Sequence, residues 1–196
     1  MTIGGSPMGV RSNWRRFAAL AFVGAFWAGS MAGVATASNR FPTNNKAGAN
    51  STVTFRHLNL ASTFHDAAHD TDTTDVEPTD VYTLIYHDGT REVTINDYDY
   101  NNPYGYGWYE CHDEYLSGGL LICLDSHVHI DTYLYGNTQN PPGTSYSTTE
   151  ARSLMCEEVG HAIGLAHSSE ANSCMSQDWG ETDWTVHDDG VVNSIY

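Results

Sequence analysis

The sequence predicts an α+β domain, because its first half shows strand-like alternation and its second half shows helical spacing of apolar residues. At 196 residues the chain is long enough for one domain with a substantial core and too short for two ordinary ones. The pattern changes at the turn-rich run NTQNPPG, residues 137–143. Strands are therefore expected before this run, and a long helix is expected after it.

The first 37 residues have the features of a secretory signal peptide. Three arginines precede an uncharged apolar run over residues 17–37, which ends in the small-x-small pattern that signal peptidase cuts, Ala35-Thr36-Ala37. A retained membrane anchor is the alternative, because this run of 21 residues is just long enough to span a bilayer. The richness in Gly and Ala favours cleavage before Ser38, secretion to the extracellular space, and contact with membrane only through the signal segment.

The predicted mature chain is strongly acidic. Cleavage would remove three of the eight basic residues and none of the 24 acidic ones, which leaves a formal net charge of −19 with histidine neutral. Such a surface repels nucleic acid and anionic membranes, so no nucleic-acid partner is expected. The Asp-rich run from His69 to Asp80 is interpreted as a solvated loop. Ca²⁺ binding there is weakly supported, since the run lacks the glycine and terminal glutamate of an EF-hand.

The first predicted elements follow the signal segment. Residues 38–52 show no apolar period and are expected to be a flexible lead-in or short pro-segment before a domain at residues 53–196. Val53 to Leu60 alternates apolar and polar residues, which predicts a strand. Ala61 to His69 is expected to form a short helix.

Three further segments lie before the turn-rich run. Val81 to Tyr86 and Arg91 to Ile95, joined by a turn at Asp88-Gly89, are expected to be neighbouring strands. Asn96 to Cys111 contains so many turn residues that a long surface loop is predicted. The second half of Leu120 to Tyr135 alternates and predicts another strand.

Helical spacing begins after the turn-rich run. Ser147 precedes an acidic first turn, which is typical of a helix N-cap. The apolar period continues to Ile163 and is followed by Gly164, the favoured residue at a left-handed helix terminus. The sequence therefore predicts a helix from Thr148 to Ile163 and a short last helix over Asp188 to Ile195.

Four cysteines lie in the predicted mature chain, and an even number in an exported protein indicates two disulfides. Four cysteines allow three pairings. Nearest-neighbour pairing, Cys111 with Cys123 and Cys156 with Cys174, is the expected arrangement, and it leaves no free thiol.

The stretch EEVGHAIGLAH, which begins at Glu157, carries the clearest functional signal. On a helix, Glu157 and His161 lie one turn apart and point the same way, so both can reach one ion. Glu158 lies beside that ion, where a general base for water belongs. Gly164 lets the chain turn, and His167 then completes a three-ligand site with an open fourth position. That is the form of a catalytic rather than a structural zinc site.

This stretch resembles the extended zinc motif H-E-x-x-H-x-x-G-x-x-H of the metzincin proteases at every defining position except the first, where Glu157 replaces histidine. Gly160 and Leu165 suit the matrixin branch of that family. Ser173-Cys174-Met175 lies where the family places its Met-turn, a methionine under the metal. The resemblance is specific over Glu150 to Tyr196. It implies a twisted, mostly parallel sheet with an active-site helix, a C-terminal helix, and an extended peptide lying along the edge strand.

The resemblance implies a secreted zinc endopeptidase that cleaves a protein or peptide substrate. Glu157, His161 and His167 would hold Zn²⁺, and Glu158 would be the general base; the enzyme is expected to be a monomer. Glutamate is a known zinc ligand. An anionic ligand nevertheless reduces the net charge of the site, so a weaker Lewis acid and an activity optimum at higher pH are expected.

Two other classes of function stay open at this point. An inactive pseudoprotease would bind a peptide or a harder ion, such as Mn²⁺ or Ca²⁺, without cleavage. The retained Glu158 argues against it, because a binding module needs no base there. An acidic surface protein would instead bind through its Asp-rich and aromatic loops and need no zinc. His127 and His129 share one face of a predicted strand and are an alternative source for the missing ligand.

Overall fold

The computed structural model describes residues 46–48, 50–86, 89, 91–100, 106–132, 146–176 and 180–196. The predicted signal peptide, most of the predicted lead-in, Asp88 of the predicted turn and the NTQNPPG run lie outside the described residues. No helix in these described ranges is long and apolar enough to cross a membrane.

Within the described residues, one mostly parallel sheet contains six strands: β1 (Lys46–Ala47), β2 (Thr52–Leu58), β3 (Tyr82–Tyr86), β4 (Val93–Tyr98), β5 (Gly107–Ser117) and β6 (Leu120–Asp131). The order across the sheet is β3-β2-β4-β6-β5, and β1 pairs with the first part of β6. Strands β5 and β6 are antiparallel and form a hairpin; the other pairs are parallel. The hairpin turn is made by Gly118 and Gly119, both with positive φ, where glycine avoids the steric cost of a side chain.

The helices of the described chain are α1 (Ser62–Thr71), which continues into a π-helical turn at Asp72–Val76, α2 (Thr148–Ala162) and α3 (Val186–Ile195). The predicted helix from Thr148 is confirmed to within one residue. A capping box explains its start: Ser147 Oγ accepts from Glu150 N at 3.3 Å, and Glu150 Oε2 accepts from Ser147 N at 2.8 Å. With strands and helices packed together, the architecture is mixed α/β and is compatible with the predicted α+β class.

The core lies between the helices and one face of the sheet. Val128 and Ile130 of β6 belong to the same buried cluster as Leu154 and Val159 of α2. Because successive strand residues point to opposite faces, the odd-numbered neighbours on β6 must point away from the helices. This alternation separates the two histidine clusters described below.

Two predictions about the strands are wrong. The segments at residues 81–86 and 91–95 do form strands, but β2 lies between β3 and β4. Tyr86, at the end of β3, is opposite Arg56, and Val93, at the start of β4, is opposite the adjacent Phe55. Strands β3 and β4 are therefore separated by β2 and form no hairpin with each other.

The second wrong prediction concerns the loop over residues 96–111. In the structure, β4 continues to Tyr98 and β5 begins at Gly107. Pairing with β6 and the Cys111–Cys123 disulfide hold this polar strand in place. The structure also differs from the predicted lead-in, since Lys46–Ala47 pair with β6 and Ala47 is buried.

Candidate metal centre

Three side chains from α2 and the segment after it come together in what we call the helix cluster: Glu157, His161 and His167. One ligand atom from each lies within 4.8 Å of the others. His161 Nε2 and His167 Nε2 are 3.2 Å apart, and His167 Nε2 is 3.2 Å from Glu157 Oε1. The arrangement can hold a metal ion through two imidazoles and one carboxylate.

Local structure explains why these atoms meet. Helix α2 places Glu157 and His161 one turn apart. The helix then ends at Gly164, whose φ of 110° is a conformation that favours glycine, and Leu165 N donates to Gly160 O at 2.8 Å. The reversed chain brings His167 back over the helix.

The hydrogen bonds of His161 suit a metal ligand. Its Nδ1 lies 2.8 Å from the Leu165 carbonyl oxygen. A carbonyl can only accept, so Nδ1 carries the proton and Nε2 presents a lone pair towards His167. Orientation of a metal-binding imidazole by a backbone carbonyl is a common outer-shell contact.

Burial also sets the protonation of the helix cluster. It lowers the pKa of His161 to about 4 and lowers the pKa of His167, so both rings are neutral near pH 7, as metal ligation requires. Burial raises the pKa of Glu157 to about 7. Near neutral pH, a cation in this cluster competes with one proton on Glu157.

Glu158 is buried at the junction between α2 and β5. A Cβ at Gly107 would come within 2.8 Å of Glu158 Oε1, so glycine leaves room for the carboxyl group at the start of β5. Glu158 Oε2 is buried without a hydrogen-bond partner among the described residues. Burial first, and the charge of Glu157 second, raise the pKa of Glu158 well above its usual range. An unpartnered buried carboxyl oxygen beside three ligands fits a site that receives a cation or a polar substrate.

Met175 packs against the turn of α2 that carries Glu157 and His161. A Cβ at Gly160 would collide with Met175 Sδ, and Met175 is fully buried. The Met175 carbonyl accepts from Ser168 N at 2.7 Å, immediately after His167. Met175 therefore contacts Gly160 and Ser168, the residues next to His161 and His167 in the chain.

Both disulfides of the nearest-neighbour pairing are present in the structure. Cys156 and Cys174 join α2 to the turn containing Met175, with Cα atoms 6.0 Å apart. Cys111 and Cys123 join β5 to β6, with Cα atoms 5.8 Å apart. Each disulfide thus lies beside one histidine cluster.

Two buried carboxylates support the helix cluster in ways that the sequence did not indicate. Asp188 Oδ2 accepts from Ser173 Oγ at 2.8 Å, and Ser173 Oγ accepts from Met175 N at 3.0 Å, which ties α3 to the methionine turn. Asp75 Oδ2 pairs with the buried guanidinium of Arg152 on α2 at 2.5 Å. Both contacts join residues far apart in sequence.

Asp75 also corrects the interpretation of the Asp-rich run. Residues 69–76 are helical, and Asp72 and Asp75 are buried, so this part of the run is not a solvated loop. Neither group of potential metal ligands in the described chain includes a residue of the run.

His127 and His129 do not join the helix cluster. Val128 and Ile130 face the helices, so both histidines point to the other face of the sheet. There they meet His112 of β5, with one ligand atom of each ring within 4.8 Å of the others. These three residues are called the hairpin cluster, and they do not supply the ligand that Glu157 replaces.

Comparison with known proteins identifies no family for this chain. No protein-family model matches the chain, and no curated protein matches it significantly.

Proposed function

We propose that the protein is a secreted, zinc-dependent endopeptidase of the metzincin type, matrixin-like in its active-site segment. The observation that carries this proposal is the convergence of Glu157, His161 and His167 beside the buried, unpartnered carboxyl group of Glu158. The mostly parallel sheet with an antiparallel edge strand agrees with the fold that the motif resemblance implies.

The ligand set fits zinc. Two imidazoles and one carboxylate occur in catalytic zinc sites, and the three ligands leave a position for substrate or water. The Nδ1 contact of His161 with Leu165 gives the ring the tautomer that a ligand needs. A bound zinc ion would supply Lewis acidity, which polarises a peptide carbonyl and makes water more acidic.

We assign to Glu158 the two proton transfers of peptide-bond hydrolysis. Its carboxylate accepts a proton from the attacking water, and the resulting carboxylic acid donates that proton to the amine nitrogen that leaves the peptide bond. Burial beside Gly107 raises its pKa, and a nearby cation lowers the pKa of a carboxyl group. These opposing influences can bring the pKa into the range in which one group both accepts and donates.

The edge strand supports a peptide as the substrate. Strand β5 starts at Gly107, beside Glu158, and in the described residues it pairs only with β6. An extended peptide can add to such an edge through backbone hydrogen bonds, which brings one peptide bond to the helix cluster. Two disulfides agree with an extracellular location, where oxidising conditions preserve them.

The competing proposal is a pseudoprotease that binds a peptide or an ion without cleavage, and Glu157 in the first ligand position is the observation in its favour. The test combines zinc analysis with hydrolysis of a peptide library by the secreted chain and its Glu158→Gln variant. We expect about one zinc ion per chain to remain at the helix cluster in both and hydrolysis to fall about 100-fold or more in the variant.

A matched control is Glu170→Gln, which removes an exposed carboxylate from the nearby chain. It should leave hydrolysis unchanged. Bound zinc together with no hydrolysis by the unaltered chain would support the pseudoprotease. Hydrolysis that persists in Glu158→Gln would exclude Glu158 as the base.

A further inference from the structure

We propose that the far half of the β5–β6 hairpin is a docking surface for cationic peptides, which continues the peptide-binding edge away from the helix cluster. This surface, called the hairpin end, consists of Asp113, Glu114, Tyr115, Leu116 and Leu124. The inference rests on the proposed function, because it takes the start of β5 as the place where a substrate meets the helix cluster. It names the substrate class as extended segments in which basic residues alternate with apolar ones.

Strand β5 is longer than contact with the helix cluster requires. It has 11 residues, and its first residue, Gly107, adjoins Glu158. A strand rises about 3.3 Å per residue, so Asp113 lies on the order of 20 Å further along the edge. In the described part of the chain, β5 pairs with no strand other than β6 along this whole length. A peptide of about ten residues added to the edge would therefore reach from the helix cluster to the hairpin end.

Large apolar side chains are exposed at the hairpin end. Leu116 is 72% exposed, and Tyr115 and Leu124 are also exposed. Leu116 is opposite Leu121 in the antiparallel pair, and Tyr115 is opposite Ile122, so the exposed apolar groups continue an apolar part of the hairpin. Exposed apolar side chains on an unpaired strand edge mark a place where another chain can bind.

The charges at the hairpin end are all negative. The hairpin sequence over residues 107–131 contains five acidic residues and no lysine or arginine. Glu110 and Asp125 already contact histidines of the hairpin cluster. Asp113 and Glu114 are exposed and form no ion pair with any described residue. Their carboxylates are therefore available to basic side chains of a partner.

The basic residues of the described chain lie away from this edge. Arg152 is buried in its pair with Asp75. Arg56 is opposite Tyr86 of β3, and the guanidinium of Arg91 stacks 3.9 Å from the centroid of the same ring, so both belong to the β3 side of the sheet. Lys46 of β1 pairs along the edge of β6 that β5 does not use. A cationic peptide at β5 would thus meet acidic groups without competition from these four.

Charge also decides between the possible occupants of the hairpin end. Pairing of two copies through β5 would bring Asp113 and Glu114 of one copy towards the same residues of the other, and like charges across a strand pair are destabilising. The formal net charge of −16 adds general repulsion between copies and from anionic membranes. A basic strand would instead pair with both carboxylates while its apolar residues cover Tyr115 and Leu116. The geometry and the charge together favour a cationic peptide.

Peptide binding to the whole secreted chain carrying Glu158→Gln tests the proposal, because this variant is expected not to cleave the probe. The probes are two fluorescent peptides of about ten residues, one alternating Lys with Val and one alternating Glu with Val. Fluorescence anisotropy should show binding of the Lys-Val peptide, weakened by added NaCl, and no binding of the Glu-Val peptide. Adding Asp113→Asn/Glu114→Gln should weaken binding about fivefold.

The matched control is Asp66→Asn/Asp70→Asn, which removes two exposed carboxylates from α1. It should leave the affinity for the Lys-Val peptide unchanged. Equal weakening in this control would show that overall charge, and not the hairpin end, holds the peptide. Equal binding of both peptides, or full affinity in Asp113→Asn/Glu114→Gln, would likewise overturn the proposal.

Two further measurements separate the alternatives. A dimer in sedimentation velocity that becomes a monomer in Leu116→Lys would assign the hairpin end to a second copy and overturn the proposal. Near-UV circular dichroism checks that each variant is folded. Binding of the Lys-Val peptide as expected, with no hydrolysis of any peptide by the unaltered chain, would support the docking surface and refute the endopeptidase. Hydrolysis of both peptides at equal rates would support the endopeptidase and refute the docking surface.

Discussion

The helix cluster and the hairpin cluster contain the same types of side chain, but they are assembled differently. In the helix cluster, Glu157 and His161 are four residues apart on α2, and His167 follows after one turn. In the hairpin cluster, His112 meets His127 and His129 only because β5 and β6 pair in one register. The first arrangement is local and can be recognised as a motif, whereas the second depends on tertiary structure.

Burial differs between the two clusters as well. His161 is 9% exposed, and desolvation lowers its pKa to about 4. In the hairpin cluster the side chain of His112 is 47% exposed, and His129 is the ring whose pKa is lowered by burial. Each cluster thus has one half-exposed ring, since the side chain of His167 is 49% exposed. The helix cluster differs in the deep burial of His161, and such shielding strengthens electrostatic interactions at that ring.

Loss of the Cys156–Cys174 disulfide should have the largest effect on the helix cluster and little effect on the hairpin cluster. In Cys156→Ala/Cys174→Ala the link between α2 and the methionine turn is gone, so the free energy of unfolding should fall by about 3 kcal/mol. Zinc binding at the helix cluster should weaken, and the hairpin cluster, whose Cys111–Cys123 disulfide is intact, should keep its structure. Denaturant unfolding and zinc analysis measure both effects. Zinc affinity that stays unchanged would contradict a role of this disulfide in holding the helix cluster.

A methyl group at Gly160 should have the second-largest effect on the helix cluster. The new Cβ would collide with Met175 Sδ, so Gly160→Ala should destabilise the protein by about 1 to 3 kcal/mol. Gly190→Ala is the matched control, because a Cβ there would meet no atom within 4 Å beyond its chain neighbours and the backbone of α3 among the described residues. This change should stabilise α3 by about 0.5 to 1 kcal/mol. Thermal unfolding of both variants checks the contrast, and a neutral Gly160→Ala would contradict the close packing of Met175.

Zinc affinity of the helix cluster should depend on pH through Glu157. Its pKa is about 7 without metal, so below pH 7 the carboxyl group must release a proton before it can bind the ion. Affinity should fall about tenfold per pH unit below that value and level off above it. Competition with a zinc-binding dye in His112→Ala/His127→Ala isolates this cluster. An affinity that stays constant between pH 5.5 and 7 would contradict the role of Glu157.

Prediction from sequence succeeded where local interactions determine structure. Helix α2 was predicted to within one residue because Ser147 and Glu150 cap its start and Gly164 follows its end. The convergence of Glu157 with His161 follows from the same helical spacing.

Local patterns could not predict features that depend on distant partners. Strand β5 directly follows a stretch of sequence rich in turn residues, and pairing with β6 makes it a strand. Asp75 is buried because Arg152, 77 residues away, neutralises it. The positions of β3 and β4 in the sheet likewise follow from the pairing of both strands with β2. In each case the neighbouring residues in the sequence do not indicate which distant residue or strand will be the partner.

The smallest change should come from restoring the histidine that the motif resemblance expects. In Glu157→His, a neutral ligand replaces an anionic one, so a bound zinc ion keeps more of its positive charge and acts as a stronger Lewis acid. We expect zinc affinity and turnover to be preserved or raised, with the activity optimum at a lower pH. Glu157→Gln removes the charge without adding an imidazole and should bind zinc less tightly than either. Loss of both zinc and activity in Glu157→His would mean that the position is shaped for a carboxylate, since Glu157 Oε1 already lies 3.2 Å from His167 Nε2.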